Sequence, residues 1–206
     1  MRRILIIYGG FKFHEPYKTV SFFLPFLREN GFNIDIYSDI NIYSDYRRLK
    51  EYDIIFQNYG EKKITEKQEQ GLTNAIKSGV GLIGFHAGLC DTFKNSYKYQ
   101  HMVGGQFVFH PKVKKFKVII NRRSKLLNGI KDFYIKTELY YFHFSPEIKI
   151  HAWTVIENKI KMPVVWSKKY GKGKIFYCSL GHDTQDFEKK EFFEIMKRGI
   201  LWVSKK

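Results

Sequence analysis

Three histidines follow apolar stretches of the sequence at glycine-rich turns. His14 comes shortly after Gly9-Gly10, His86 is the middle residue of a Gly-x-His-x-Gly motif over residues 84–88, and His182 directly follows a glycine. An imidazole accepts or donates a proton near neutral pH and is also a common metal ligand. These residues therefore predict proton transfer or metal binding, provided that the fold brings them together.

The Gly-x-His-x-Gly motif at His86 is the most informative stretch. It begins at the end of the apolar run 80–85, so that His86 directly follows this run. Small residues on both sides of a displayed side chain are typical of a nucleophile elbow, a sharp turn from strand to helix. Free N–H groups at the start of that helix disfavour an imidazolium. The motif thus predicts a neutral ring that acts as a general base, a polar partner or a metal ligand. The alternative is a histidine that merely packs in the turn.

The elements that position these residues alternate in the first hundred residues. Strands are predicted over 3–8, 32–37, 53–57 and 80–85, and helices over 18–30 and 65–78. Thr65 and Gln68 have the spacing of a capping box, and Gly79 follows the second helix as a C-terminal cap. Strands that alternate with helices predict a mostly parallel central sheet with helices on both faces.

The second half of the chain is richer in predicted strands. They cover 107–109, 116–121, 139–142 and 151–156, followed by a hairpin of 164–167 and 174–178 around Gly171-Lys172-Gly173 and a final helix over 185–204. If the strands before His14, His86 and His182 are parallel neighbours, the three histidines emerge at one carboxyl edge. That edge is where open α/β sheets bind ligands.

Length, cysteine content and hydropathy predict a single cytoplasmic domain. The 206 residues fit one domain over 1–206, and 44% hydrophobic residues supply a core. Cys90 and Cys178 are too few for a disulfide framework and fit a reducing cytosol. No apolar run approaches the roughly 20 residues of a membrane span, so no membrane partner is expected.

The positive charge is a weak indicator of function. The chain has 36 Lys+Arg and 20 Asp+Glu, a net charge of +16. The densest basic stretch is 112–125, but most of the cations are lysines spread along the whole sequence. Nucleic-acid surfaces favour clustered arginines interleaved with aromatic residues. Nucleic-acid binding therefore remains a minor alternative, and the oligomeric state, including a homo-oligomer, stays open.

Ordered blocks across nearly the whole chain resemble the ThuA-like, or trehalose-utilisation, family. The blocks are Gly9-Gly10 with His14-Glu15-Pro16; Gly81 to Gly88 with Asp91-Thr92-Phe93; Val103 to Phe107 with His110-Pro111; Glu138-Leu139-Tyr140; and Pro163-Val164-Val165-Trp166, Tyr170 to Tyr177 and Leu180-Gly181-His182-Asp183. The resemblance implies an α/β fold of the flavodoxin-like, class I glutamine amidotransferase-like type, and a role in the use of trehalose or related sugars.

The resemblance also implies what this chain lacks. Amidotransferases carry a cysteine nucleophile at the elbow, where this sequence has His86, and Cys90 comes four residues too late. The chain is therefore not expected to be a glutamine amidotransferase. Thr137 stands where many relatives have an acid, and Arg123-Ser124-Lys125 stands where many have a His-Pro pair.

The candidate site residues follow from the motifs and the resemblance together. His86 and His182 are the predicted proton carriers, and Glu138, beside three aromatic residues, is a candidate acid with a raised pKa. The metal alternative is a divalent ion held by His14, His86 and His182. Alternatively, Glu138 has no catalytic role and forms an ion pair with a lysine. The predicted substrate-binding residues are Gly10, His14, Asp91, His110 and Tyr140.

Two functions of different classes are consistent with these residues. The preferred hypothesis is an enzyme, an isomerase or a hydrolase, that acts on a small carbohydrate such as a keto derivative of a glucoside, with a histidine pocket in place of the amidotransferase cysteine. The alternative is a non-catalytic member that binds a sugar or a partner protein. No cofactor follows from the sequence beyond the metal alternative.

Overall fold

The computed structural model describes residues 2–157 and 159–204. Met1, Asn158, Lys205 and Lys206 lie outside the described residues, and with them the two ends of the predicted domain 1–206. The strands are β1 (Arg2–Gly9), β2 (Phe32–Tyr37), β3 (Ile54–Tyr59), β4 (Gly81–Phe85), β5 (Gly105–Phe109), β6 (Lys114–Ile120), β7 (Phe133–Thr137), β8 (Tyr141–Phe144), β9 (Lys149–Ile156), β10 (Ile160–Tyr170) and β11 (Gly173–Cys178).

The helices are mostly short and, except for α7 after the last strand, come between strands β1 and β5. The α-helices are α1 (Pro16–Ser21), α2 (Leu24–Glu29), α3 (Tyr46–Leu49), α4 (Glu66–Ser78), α5 (Ala87–Cys90), α6 (Tyr97–Val103) and α7 (Lys190–Val203), and 3-10 turns cover Lys12–His14, Asn41–Ser44 and Asp186–Glu188. No helix of the described residues is both long and apolar enough to cross a membrane.

The central sheet is mixed, and the expectation of a mostly parallel sheet was wrong. Among the described residues it has nine strands in the order β2-β1-β3-β4-β11-β10-β9-β6-β7, and β5 and β8 pair separately. Four pairings are parallel: β2-β1, β1-β3, β3-β4 and β4-β11. The other four, β11-β10, β10-β9, β9-β6 and β6-β7, are antiparallel. The cause is the predicted hairpin: only residues 171–172 separate β10 from β11, and so short a connection joins antiparallel strands.

Helices cover both faces of the parallel half of the sheet. Phe56 on β3 contacts Phe23, which stacks on Phe193 of α7 at a ring-centroid distance of 5.0 Å. The next residue, Gln57, points to the opposite face, where its amide donates to the Gly88 carbonyl of α5 and to the Tyr99 hydroxyl of α6. The carboxyl ends of β1, β4 and β11 emerge between these two layers.

Several predicted elements differ from the structure for local reasons. The helix predicted over 18–30 is split into α1 and α2, because Pro25 has no N–H to continue the hydrogen-bond ladder. The helix predicted over 185–204 begins later, after the 3-10 turn Asp186–Glu188. Strand β7 was not predicted, and the strand predicted over 139–142 begins at Tyr141, so residues 138–140 form a connection. By contrast, α4 has the expected capping box of Thr65 and Gln68.

Candidate functional site

The structure places the three histidines against one another at the carboxyl edge of the sheet. His14 ends the 3-10 turn after β1, His86 follows β4, and His182 lies beyond β11. Their ring centroids are 4.7 Å apart for His14 and His86, 5.0 Å for His14 and His182, and 5.2 Å for His86 and His182. Strand β3 separates β1 from β4, so the three strands share an edge without all being neighbours.

The elbow holds His86 in a strained backbone conformation. Its φ of 47° and ψ of −125° lie in a region that side chains other than glycine rarely adopt. A Cβ on Gly84 or on Gly88 would lie 2.6 Å from the Gln57 carbonyl oxygen, so both glycines are required by the close approach to β3. The Tyr177 hydroxyl donates to the His86 carbonyl at 2.6 Å, which fixes the turn from the other side.

The two nitrogens of the His86 ring have different partners: Nδ1 faces a backbone carbonyl, and Nε2 faces the side chains of the site. Its Nδ1 lies 3.3 Å from the Ser179 carbonyl oxygen, an acceptor, so Nδ1 carries the hydrogen and Nε2 carries the lone pair. Nε2 accepts from the Tyr140 hydroxyl at 2.9 Å and lies 3.3 Å from His182 Nδ1. Only 1% of His86 is exposed, so the elbow displays this atom to other side chains rather than to bulk water.

Glu138 joins the histidines from the connection between β7 and β8. Its Oε2 is 3.3 Å from His86 Nε2 and 3.3 Å from His182 Nδ1, and its Oε1 is 3.5 Å from His110 Nε2. Together His14, His86, Glu138 and His182 form what we call the histidine–glutamate cluster, whose facing nitrogen and oxygen atoms all lie within 4.8 Å of one another.

The electrostatics of the cluster correct one expectation. Burial alone would raise the pKa of Glu138, but the hydrogen bond from His182 and the neighbouring His86 ring outweigh it and hold the pKa below its usual range. Glu138 is therefore a carboxylate, not an acid with a raised pKa. The same hydrogen bond raises the pKa of His182. Burial, reinforced by the neighbouring histidines, lowers the pKa of His14 to about 3, so that ring is neutral.

A cavity of about 260 Å³ opens beside the cluster. Its walls combine aromatic rings with polar groups, and the lining residues are Phe11, Phe13, His14, Glu61, Asp91, Lys94, Phe107, His110, Glu138 and Tyr140. Five of the predicted site residues, His14, Asp91, His110, Glu138 and Tyr140, are thus on its wall. His86 and His182 do not line it and meet it through Glu138 and Tyr140.

The other predicted binding residues have distinct positions. Asp91 forms an ion pair with Lys94, and burial raises the pKa of its carboxyl group. His110 stacks on Tyr140, with an angle of 20° between the rings. Gly10 does not line the cavity; a Cβ there would lie 2.1 Å from the Gly60 carbonyl oxygen, so this glycine is explained by a close approach of two loops.

Asp186 is a supporting residue that the motifs did not reveal. Its Oδ2 accepts from the Gly181 and His182 backbone N–H groups at 2.8 and 3.0 Å and from the Thr137 hydroxyl at 2.7 Å. The buried carboxylate thereby ties the loop that carries His182 to the residue before Glu138. This contact also gives a role to Thr137, whose hydroxyl donates a hydrogen bond to the Asp186 carboxylate. Lys94 and Glu61 were likewise missed, because nothing in their spacing marks them, and Phe107 was noted only as part of a family block.

Neither cysteine takes part in the cluster. Cys90 and Cys178 are both fully buried, and burial raises the pKa of each thiol, that of Cys178 to about 12. A thiol in this state is a poor nucleophile. The elbow carries an imidazole, and no cysteine replaces it.

Comparison with known proteins assigns the family. The profile of the ThuA family, described as trehalose utilisation, matches residues 3–203. The chain belongs to the ThuA family. Its fold is similar to that of a putative ThuA-like protein from Bacteroides uniformis ATCC 8492, with a TM-score of 0.82, 20% identity, and coverage of 98% of this chain and 91% of the other.

Two further solved structures share the fold of this ThuA family member. A putative ThuA-like protein from Parabacteroides merdae ATCC 43184 gives a TM-score of 0.79 at 16% identity, covering 98% of this chain and 89% of the other. A Salmonella typhimurium LT2 protein described as cytoplasmic gives 0.72 at 12% identity, covering 98% of this chain and all of the other, 100%. No curated protein matches the chain.

Proposed function

We propose that this ThuA family member is an enzyme that modifies a small carbohydrate, a keto derivative of trehalose or of a related glucoside. Its reaction centre is formed by His86, His182 and Glu138. The observation that carries the proposal is the convergence of three side-chain atoms on one point beside an aromatic-walled cavity. Membership of a family described as trehalose utilisation supports a substrate related to trehalose.

The cavity suits a small sugar. Phe11, Phe13 and Phe107 offer apolar ring faces to the C–H groups of a pyranose, while His14, Asp91, His110 and Tyr140 offer donors and acceptors to its hydroxyls. Its volume of about 260 Å³ lies just below the roughly 300–1,000 Å³ of sites for drug-sized ligands. This size supports a monosaccharide-sized substrate portion rather than a polymer.

The state of Glu138 favours isomerisation over hydrolysis. A glycosidase needs one carboxylic acid to protonate the leaving oxygen and a second carboxylate across the bond. Glu138 is held as a carboxylate among histidines, so it is a poor proton donor to a leaving group. A keto sugar instead loses a proton from the carbon beside its carbonyl to a base, here the Glu138 carboxylate on the cavity wall. The developing oxyanion is stabilised by nearby cationic or hydrogen-bonding groups. The cluster offers such groups.

The proposal is tested with keto-glucosides and keto-trehalose in D₂O, followed by mass spectrometry and NMR. We expect deuterium to enter the carbon beside the carbonyl, and His86→Ala and His182→Ala to abolish this exchange. His143→Ala is the matched control, because His143 is exposed on β8, away from the cluster. Exchange that persists unchanged in both cluster variants would contradict the proposed centre.

The second candidate is a non-catalytic sugar-binding protein. It is favoured by one observation: the Tyr140 hydroxyl occupies His86 Nε2, and 1% of His86 is exposed. Calorimetry that shows saturable binding of a sugar, with no product or exchange by mass spectrometry, would support this candidate over the enzyme. Under either candidate, we place the chain in the cytoplasm with a small-molecule partner and no membrane partner.

A further inference from the structure

We infer that the histidine–glutamate cluster is a site for a divalent transition metal, with zinc as the ion that fits its geometry. The ligand atoms are His86 Nε2, His182 Nδ1 and Glu138 Oε2. The inference rests on the proposed function for the place of the reaction, and it defines how His86 and His182 act there: they hold a cation.

The distances among the three atoms match a tetrahedral zinc site. Zinc binds imidazole nitrogen and carboxylate oxygen at about 2.0–2.2 Å, so two ligands of a tetrahedron lie roughly 3.3–3.6 Å apart. Here the nitrogen–nitrogen distance is 3.3 Å, and each nitrogen is 3.3 Å from the same carboxylate oxygen. The three atoms therefore form one face of a tetrahedron of the required size.

His14 lies near the remaining position of this tetrahedron. Its ligand atom lies within 4.8 Å of the other three, and its ring lines the cavity. Two histidines, one carboxylate and a further position near the substrate cavity is a ligand set known from catalytic zinc sites, which keep that position for water or substrate. We assign the fourth position to water or substrate and place His14 beside it, on the cavity wall.

Each ligand is held by a partner behind it. His86 Nδ1 donates to the Ser179 carbonyl, which leaves Nε2 unprotonated and directed to the site. Glu138 Oε1 faces His110 at 3.5 Å, and Asp186 accepts from the His182 backbone N–H at 3.0 Å. The second nitrogen of a ligating histidine usually donates to a carbonyl or a carboxylate, as the His86 ring does here, whereas Asp186 positions the backbone that carries His182.

Tyr140 provides a discriminating contact. In the structure its hydroxyl donates to His86 Nε2 at 2.9 Å, the same lone pair that a metal would use. A metal must therefore displace this hydrogen bond. Removing the hydroxyl in Tyr140→Phe frees the lone pair, so the variant is expected to bind the metal as tightly as the parent chain or more tightly.

The test is calorimetric titration of Zn²⁺ into the full chain after treatment with EDTA, with no sugar present. We expect one Zn²⁺ per chain. His86→Ala, His182→Ala and Glu138→Gln should each weaken binding by more than about 100-fold, beyond the roughly 10–100-fold typical of losing an outer partner. His101→Ala and His143→Ala are the controls and should leave the affinity unchanged, since both histidines are exposed outside the cluster.

A spectroscopic readout complements the titration. Co²⁺ in place of Zn²⁺ should give the intense visible bands of a tetrahedral site, and these should be lost in His182→Ala. If an alanine variant fails to fold by circular dichroism, His182→Gln replaces it, and Tyr140→Phe tests the same atoms without removing a ligand. The inference is overturned if the parent chain binds no Zn²⁺ stoichiometrically, or if the cluster variants bind it like the controls.

The two proposals fail differently. A chain that binds one Zn²⁺ through the cluster but exchanges no sugar proton would contradict the proposed function and leave the metal site standing. A chain that exchanges sugar protons but binds no Zn²⁺ would overturn the metal inference and leave the proposed function standing.

Discussion

We predict that a buried histidine outside the candidate site makes the stability of this protein sensitive to acid. His151 on β9 is 3% exposed, and its two ring nitrogens lie 2.7 Å from the Ser124 hydroxyl and 2.8 Å from the Ser167 hydroxyl. Both partners are neutral, so nothing compensates a charge on the ring. Burial, with a smaller contribution from the charge of Lys149, lowers the pKa of His151 from 6.5 to about 4.

The direction of the effect follows from linkage. In the unfolded chain His151 takes up a proton below about pH 6.5, whereas the folded chain resists protonation down to about pH 4. The free energy of unfolding therefore falls as the pH falls through this window, by about 1.4 kcal/mol per pH unit. The total loss is about 3 kcal/mol, a large part of the roughly 5–15 kcal/mol that stabilises a typical domain.

The assay is urea unfolding of the parent chain and of His151→Gln at intervals from pH 7 to pH 4. Glutamine has no proton to gain, so the parent chain should lose about 3 kcal/mol more than the variant over this range. His14, whose pKa is lowered to about 3, titrates in both proteins and cancels in the difference. Parallel stability curves for the two proteins would refute the reasoning.

Three further perturbations test the site and its support. In metal-free protein, Glu138→Gln should lower the pKa of His182, measured by NMR titration, because the Glu138 hydrogen bond raises it; an unchanged pKa would show that the pair is not formed. Asp186→Asn should cost about 1–3 kcal/mol in urea unfolding, since Asp186 accepts three hydrogen bonds in a buried position; an unaltered midpoint would argue against its support of the His182 loop. Gly84→Ala should cost more than about 3 kcal/mol, because its Cβ meets a carbonyl oxygen at 2.6 Å. Gly31→Ala has nothing within 4 Å of its Cβ but has a φ of 74°, so it should cost only about 1 kcal/mol of backbone strain. Equal losses by thermal unfolding would contradict the steric argument.

Local signals predicted the parts of the fold that depend on neighbouring residues. The capping box of Thr65 and Gln68 sets the start of α4, and the glycines around His86 set the elbow, because both are decided within a few residues. Pro25 was an equally local signal that the helix prediction over 18–30 overlooked. The mixed sheet was harder to predict, because the pairing of β9 with β6 joins strands about 30 residues apart. Nothing in the sequence of either strand indicates its partner.

The chemistry of the site depended on contacts that spacing does not contain. The sequence put Glu138 among the candidates, but its aromatic neighbours suggested a raised pKa. The structure supplies the missing partners, His86 and His182, which lie 52 and 44 positions away and reverse the shift. Asp186 shows the same limit, because its bond to Thr137 spans 49 residues and follows no periodic pattern.

The elbow fixes a position in this fold, and the residue placed there decides what the position can do. A cysteine would end close to the turn, whereas the His86 ring extends its Nε2 to within 3.3 Å of both His182 Nδ1 and Glu138 Oε2. Two imidazole nitrogens at this distance cannot both carry hydrogens toward each other, so they share a single proton or a single cation with the carboxylate. The protonation or cation occupancy of this centre is therefore a property of His86, His182 and Glu138 together.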